Sequence, residues 1–234
     1  MKVLYRIYQY LIAYPVLIVL TIVTALFTMI GSLFNHHWWG YHPPRIWAKC
    51  WCKLLFVDVE VRNRENINKT ESYVFIANHQ GAFDIFAIYG YLNHNFKWMM
   101  KKSLKKIPFV GGACIAAGHI LVDRSSPSAV AKTMETARKR LTDGMSLVIF
   151  PEGARTRDGK IQKFKKGAFK LAIDFNRTLV PITIDGAFDV MPRNSKSINP
   201  GKIIITIHKP IEPTADMDAI MTESYEAIKS ALPE

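Results

Sequence analysis

Tyr73-Val74-Phe75-Ile76-Ala77, followed at once by Asn78-His79-Gln80-Gly81-Ala82-Phe83-Asp84, decides how this chain folds. Five apolar residues run into a polar, glycine-bearing turn, and Ile85 to Tyr91 then resumes an apolar pattern. That order reads as a buried strand, a tight turn and the start of a helix. His79 and Asp84 stand five residues apart. On one continuous helix they would lie roughly 140° apart around the axis, and on one continuous strand about 17 Å apart on opposite faces. A turn brings them together, and Gly81 supplies backbone freedom to make it. An imidazole held by a carboxylate is equipped as a general base, because the carboxylate fixes the tautomer and stabilises the imidazolium.

Working downstream, the pattern stays α/β. A strand near Phe96–Met100 leads into Lys101-Lys102-Ser103-Leu104-Lys105-Lys106, and a helical stretch runs from Pro108 through Ala117. Gly118 to Arg124 reads as a short strand ending in charge, and Ser126-Pro127 opens a helix that Asp143-Gly144 stops. Ser146 to Phe150 is a buried strand that delivers Pro151-Glu152-Gly153-Ala154-Arg155-Thr156-Arg157 at its carboxyl end, the edge where parallel sheets bind ligands. Arg155 and Arg157 can present planar forks to a phosphate, Gly153 lets an anion approach the backbone, and Glu152 can orient an arginine or accept from a substrate hydroxyl. A helix after Phe164-Lys165-Lys166-Gly167, strands at 180–184 and 203–207, and a helix from Asp216 to about Ala231 complete the pattern. His94, His119 and His208 are isolated and read as structural. Phosphate-loop, dinucleotide, serine-hydrolase elbow and zinc-protease motifs are absent, which removes those chemistries as leading readings.

Working upstream, Val57, Val59 and Val61 alternate with Asp58 and Glu60 as in a half-exposed strand. Residues 11–34 carry no charge, and as a helix they would measure about 36 Å, enough to span a bilayer with some tilt. His36 to Tyr41 is an aromatic cluster suited to headgroup depth, through Trp38 and Trp39. Pro43 and Pro44 introduce a second helix, Arg45 to Val57, with Trp47 and Trp51 on one side and basic residues elsewhere, as in a helix lying in an anionic interface. Both flanks of the apolar segment are positive, so a span and a shallow or re-entrant anchor both fit. The expected organisation is therefore membrane-anchoring helices over 1–57 and an α/β domain over 58–234, with a mixed, mostly parallel sheet flanked by helices. The chain has 234 residues and a net charge of +12, which points to an anionic partner. Cys50, Cys52 and Cys114 read as small apolar residues in a reducing compartment, and no metal-ligand spacing is present.

In order and spacing, these motifs resemble those of the glycerophospholipid acyltransferases, and most closely the bacterial lysophosphatidic acid acyltransferases, over roughly residues 70–185. Asn78 to Asp84 is similar to the family's first motif, with His79 as base and Asp84 as its partner. Lys102-Ser103-Leu104, Ile107-Pro108-Phe109 and Gly118 to Arg124 resemble the second, which puts substrate-binding roles on Lys102 and Arg124. Phe150 to Arg155 resembles the third, the phosphate-binding motif, with Ala154 where the family usually has threonine. Val180-Pro181-Ile182 matches the fourth, linked to the acyl-donor side.

The resemblance implies acyl transfer from a thioester, acyl-CoA or acyl-carrier protein, to the free sn-2 hydroxyl of lysophosphatidic acid. It implies no cofactor, an enzyme at the inner membrane, and a catalytic domain facing the cytoplasm. Another acceptor, such as glycerol-3-phosphate or a different lysophospholipid, would use the same pair. A membrane-tethered module that binds anionic lipid or nucleic acid without chemistry is the reading from a different class. Against it stands the pairing of positive charge with a buried-type His–Asp pair, so nucleic acid is not an expected partner.

Overall fold

The computed structural model describes residues 2–123, 125–142, 144–195 and 197–233, and in it the strand expected at 73–77 lies at the centre of a seven-stranded sheet. The strands are β1 Val57–Arg62, β2 Val74–Ala77, β3 Phe96–Lys101, β4 Ile120–Val122, β5 Ser146–Ile149, β6 Leu179–Asp185 and β7 Gly201–Ile207. Their spatial order is β1-β7-β6-β2-β5-β3-β4. β6 and β7 run antiparallel, and every other neighbouring pair is parallel. The mixed, mostly parallel sheet read from the sequence is the one that forms.

The helices are α1 Lys2–Tyr8, α2 Tyr14–Trp39, α3 His42–Leu54, α4 Phe83–Tyr91, α5 Val110–Ala116, α6 Pro127–Thr142, α7 Gly167–Asp174, α8 Ala187–Val190 and α9 Met217–Ser230. β2 is buried on both faces, as a central parallel strand must be. Its Phe75 and Ala77 enter a core closed by α3 and α4, and its Val74 and Ile76 enter a second core closed by α6, α7 and α9. Of these helices, the four-residue α8 has no counterpart in the sequence reading. α3 begins at His42, three residues earlier than expected, because Pro43 and Pro44 fit the first turn, where no N–H is needed.

Among the described residues, Lys2–Trp39 is the one helix long and apolar enough to cross a membrane. It is not uniform. A π-helical turn at Gln9–Ala13 joins α1 to α2, where Pro15 removes a ladder donor. Near its other end Asn35 is extended (φ −151°, ψ 93°), and its Oδ1 accepts from the N–H groups of His37 and Trp38 at 3.1 and 3.0 Å. Asn35 thereby kinks α2 and caps its final turn, so the apolar segment ends at Phe34 as its sequence suggests. Ile18, Val19, Phe27, Ile30, Leu33 and Phe34 point outward and are each more than half exposed. Leu17, Ala25, Thr28 and Gly31 face protein.

The N-terminal helices pack closely against the α/β part of the chain. Ala13, Leu17, Ala48, Cys52 and Leu55 share one core with Phe75 and Val180, so packing crosses residue 57 without a break. Trp47 donates to Thr21 Oγ1 at 2.8 Å, and Trp51 stacks on Phe86 of α4 with centroids 4.7 Å apart. The apolar side of α3 is therefore packed in part against protein, with Trp47 and Trp51 each left partly buried. Trp38 remains exposed, while Trp39 folds back onto Gly31.

Candidate active site

β2 and β5 are parallel neighbours, so the turns that leave their carboxyl ends emerge side by side. Asn78 fixes the first turn to the sheet. Its amide donates to the Ile184 carbonyl at 2.8 Å and its Oδ1 accepts from the Ile184 N–H at 2.7 Å, which ties the end of β2 to β6. Gly81 serves by its lack of a side chain and not by an unusual φ. A Cβ there would lie 2.4 Å from the Ala187 carbonyl oxygen, so α8 packs directly on the turn.

That close approach leaves the Gly81 N–H aimed at Asp84 Oδ2, 3.0 Å away. The same Oδ2 accepts from His79 Nδ1 at 2.6 Å. Asp84 is fully buried in the first turn of α4, and the His79 side chain is 16% exposed. The expected pair is thus brought together. With Nδ1–H donated to the carboxylate, Nε2 is left as the basic nitrogen. The imidazole lies flat on Phe150, with centroids 4.0 Å apart and planes 10° from parallel, and Trp98 backs Phe150 from 5.6 Å. Ring, tautomer and tilt are all set.

Glu152 binds backbone at both of its oxygens. It is 4% exposed, and Oε1 accepts from the His79 N–H at 2.7 Å and Oε2 from the Gln162 N–H at 2.9 Å. Among the described residues no arginine donates to it. Glu152 locks the histidine's main chain to the second turn, and the Thr156 N–H donates to the His79 carbonyl at 2.8 Å to complete the tie. Burial pushes the Glu152 carboxyl up from its ordinary value, against the two N–H groups that favour its charge. Gly153 sits at φ +76°, the left-handed region that favours glycine, and a Cβ there would come within 2.7 Å of Lys165 Nζ.

The loops at this edge of the sheet carry several basic side chains. Arg155 is half-buried in the turn, and its carbonyl accepts from Arg193 Nη1 at 3.3 Å. A polar cavity of about 240 Å³ opens beside it, lined by Arg157, Arg193 and Asn194. Lys102, at the carboxyl end of β3, is half-exposed and ion-paired with Asp123. Arg124 and Lys196 lie outside the described residues. Lys165 and Arg193 belong to these loops although the sequence reading gave neither a role. A lysine and an arginine in separate loops carry no local signal until the chain folds back.

Val180, Pro181 and Ile182 are wholly buried in β6, where they pair with Phe75, Ile76 and Ala77. Their side chains are enclosed by protein, and their pairing joins β6 to the strand that leads to His79.

His94 and His208 bond to Ser146 and Thr183 at 2.7 Å each, and His119 accepts from the Trp98 N–H at 3.3 Å, all structural roles. The three cysteines are free, and burial pushes the Cys114 thiol up to about 11 and Cys52 to about 12, unsuited to nucleophilic use. Among the described residues no group of three metal-ligating side chains is assembled.

The fold and site together define an α/β protein with a carboxylate-held histidine at the carboxyl edge of its sheet and basic side chains in the loops of that edge. The Acyltransferase family model matches residues 58–185, and the chain belongs to that family. A 1-acyl-sn-glycerol-3-phosphate acyltransferase of Chlamydomonas reinhardtii is 33% identical over 80% of this chain and 57% of its own length. A chloroplastic enzyme of the same name from Arabidopsis thaliana is 31% identical over 79% of this chain and 53% of its own. The chain thus spans a little over half the length of these curated relatives. The crystal structure of the LPA acyltransferase PlsC from Thermotoga maritima superposes with a TM-score of 0.76 at 25% identity, covering 97% of this chain and 93% of that one.

Proposed function

We propose that this protein transfers a fatty acyl group from a thioester to the free sn-2 hydroxyl of lysophosphatidic acid, giving phosphatidic acid. The observation that carries the reading is the 2.6 Å contact between His79 Nδ1 and buried Asp84, with the backbone of His79 held by Glu152. The names of the relatives support the acceptor. Their common reaction supports acyl-CoA or acyl-carrier protein as co-substrate.

In this mechanism His79 Nε2 accepts the hydroxyl proton as the oxygen attacks the thioester carbonyl carbon. The new C–O bond forms, the carbonyl electrons collapse back, and the C–S bond breaks. The imidazolium then returns its proton to the leaving thiolate. Asp84 stabilises the imidazolium in between. The acceptor hydroxyl is itself the nucleophile, so no acyl-enzyme forms. Arg155, Arg157, Lys165, Arg193 and Lys102 hold the acceptor phosphate, which restrains the hydroxyl beside Nε2. Arg124 is proposed for the same task on the resemblance alone.

The outward apolar face of α2, with Trp38 at its end, anchors the enzyme where acceptor and product reside. The matching location is the inner membrane, with the catalytic domain on the cytoplasmic side, where thioesters are made. The test is acyl transfer by membranes containing the protein, offered lysophosphatidic acid with each donor separately. Phosphatidic acid is expected from at least one. Its absence with both, alongside turnover of another lysolipid, would overturn the acceptor assignment.

A further inference from the structure

The segment between β3 and β4 is exposed, basic and apolar at once. Lys101 through Phe109 are all exposed, and Ile107, Phe109 and Ile115 are 44%, 47% and 56% accessible. Residues 101–122 contain four lysines and no acidic residue. Phe109 adopts φ +61°, ψ −52°, and the Val110 N–H bonds back to the Pro108 carbonyl at 2.7 Å. That is a γ-turn of the positive-φ kind, rare for a residue with a large side chain. It sets an aromatic ring at the tip of an apolar loop instead of folding it inward. Leu104 adds a further exposed apolar side chain.

Position adds to composition. α5 packs along α2, where Met29 Sδ would lie 2.7 Å from a Cβ on Gly112, and Ala117 abuts Gly40. The loop therefore stands beside the end of α2 that exposes Ile30, Leu33, Phe34 and Trp38. It also follows the carboxyl end of β3, on the same sheet edge as His79.

We infer that residues 104–115 form a second lipid-inserting face, separate from α2. Ile107, Phe109 and Ile115 enter the acyl boundary of an anionic membrane, while Lys101, Lys105 and Lys106 meet lipid phosphates. This inference rests on the reading above of an enzyme working at a membrane. Exposed apolar side chains ringed by unopposed lysines match an anionic bilayer surface, which offers hydrocarbon beneath phosphate. A soluble acidic partner would match the lysines and leave the apolar tip in water. With α2 and this loop both inserted, the sheet edge bearing His79 is held at headgroup level, where an acceptor hydroxyl lies.

The test uses the full chain in vesicles of phosphatidylcholine and phosphatidylglycerol, with a photoactivatable diazirine in the phosphatidylglycerol acyl chain. After irradiation and digestion, label is expected on 104–115 as well as on α2, at roughly tenfold or more over the level on α9. Label on α2 alone overturns the inference and leaves the anchor intact. Label on neither removes both.

A second arm uses the variant carrying Ile115→Asp, at an exposed position of the same face that lies outside the second motif. Turnover of vesicle-embedded lysophosphatidic acid should fall about tenfold, with turnover of a short-chain, monomeric acceptor unchanged. Equal loss on both acceptors, or loss confined to the acyl-carrier-protein donor, overturns it.

Discussion

Asp84 and Glu152 on one side of the sheet and Lys97 on the other are charged groups buried in the same layer, and they are treated oppositely. Each carboxylate takes two N–H donors: Asp84 from His79 and Gly81, Glu152 from His79 and Gln162. Lys97 is fully buried in β3, yet its Nζ has no hydrogen-bond partner among the described residues. Phe96 and Trp98, its neighbours, project into the core behind His79, and the alternation of a strand sends Lys97 the other way. The carboxylates that fix the histidine have donors, although both of those on Asp84 meet Oδ2 and its buried Oδ1 has no hydrogen-bond partner among the described residues, whereas Lys97 Nζ has no such partner at all. We have no physical account of why a lysine occupies that position.

If that contrast is right, removing charge on the histidine's side should be costly. Asp84→Asn keeps an oxygen for the His79 and Gly81 donors but removes the countercharge of the imidazolium. Loss of kcat on the order of 10³–10⁴ is expected, with the fold retained by circular dichroism. A loss of tenfold or less would mean that the pair is structural.

Glu152→Gln turns an amide NH₂ toward a backbone donor and loosens the His79 main chain. A fall in kcat of about 10² with KM little changed is the expected signature of misplacement. A change in KM alone would return Glu152 to direct substrate binding. Arg155→Ala should do the converse, raising the KM for acceptor about tenfold, and less at high salt because the loops at the sheet edge are open to solvent.

The smallest effect lies on the opposite face. Burial, with the charge of Arg140, holds Lys97 down to about 8, against 10.5 for a free lysine. Below pH 8 the side chain is charged in both folded and unfolded chains, and the native state bears the whole desolvation cost. As pH rises from 8 to 10.5 that cost disappears. Lys97→Met should therefore raise Tm by roughly 2–8 °C near pH 7, with the gain fading toward pH 10.5. A variant less stable at pH 7 would show that the ammonium has a stabilising partner.

Much of the site was legible because one turn carried it. The strand 73–77, the turn and the helix start permit the His–Asp contact that a continuous helix or strand would forbid. The strand order was not legible, because β6 joins β2 across more than a hundred residues. For the same reason the backbone partners of Glu152 were not legible: His79 becomes its neighbour only after β2 and β5 pair. Trp47 and Trp51 show a different limit. Helical spacing defines an apolar side, but protein and lipid are equally good covers for it, and α4 together with Thr21 of α2 supplied part of the cover. Val180 and Ile182 read as strand correctly, yet a buried strand that holds a site and one that lines it have the same sequence.

The central claim is that His79 is the general base, and acyl transfer by wild type against His79→Ala tests it most directly. Both would be assayed in the same membranes, with expression and Tm matched. A fall on the order of 10²–10⁴ in phosphatidic acid formation is predicted. Equal rates for the two proteins would contradict the account.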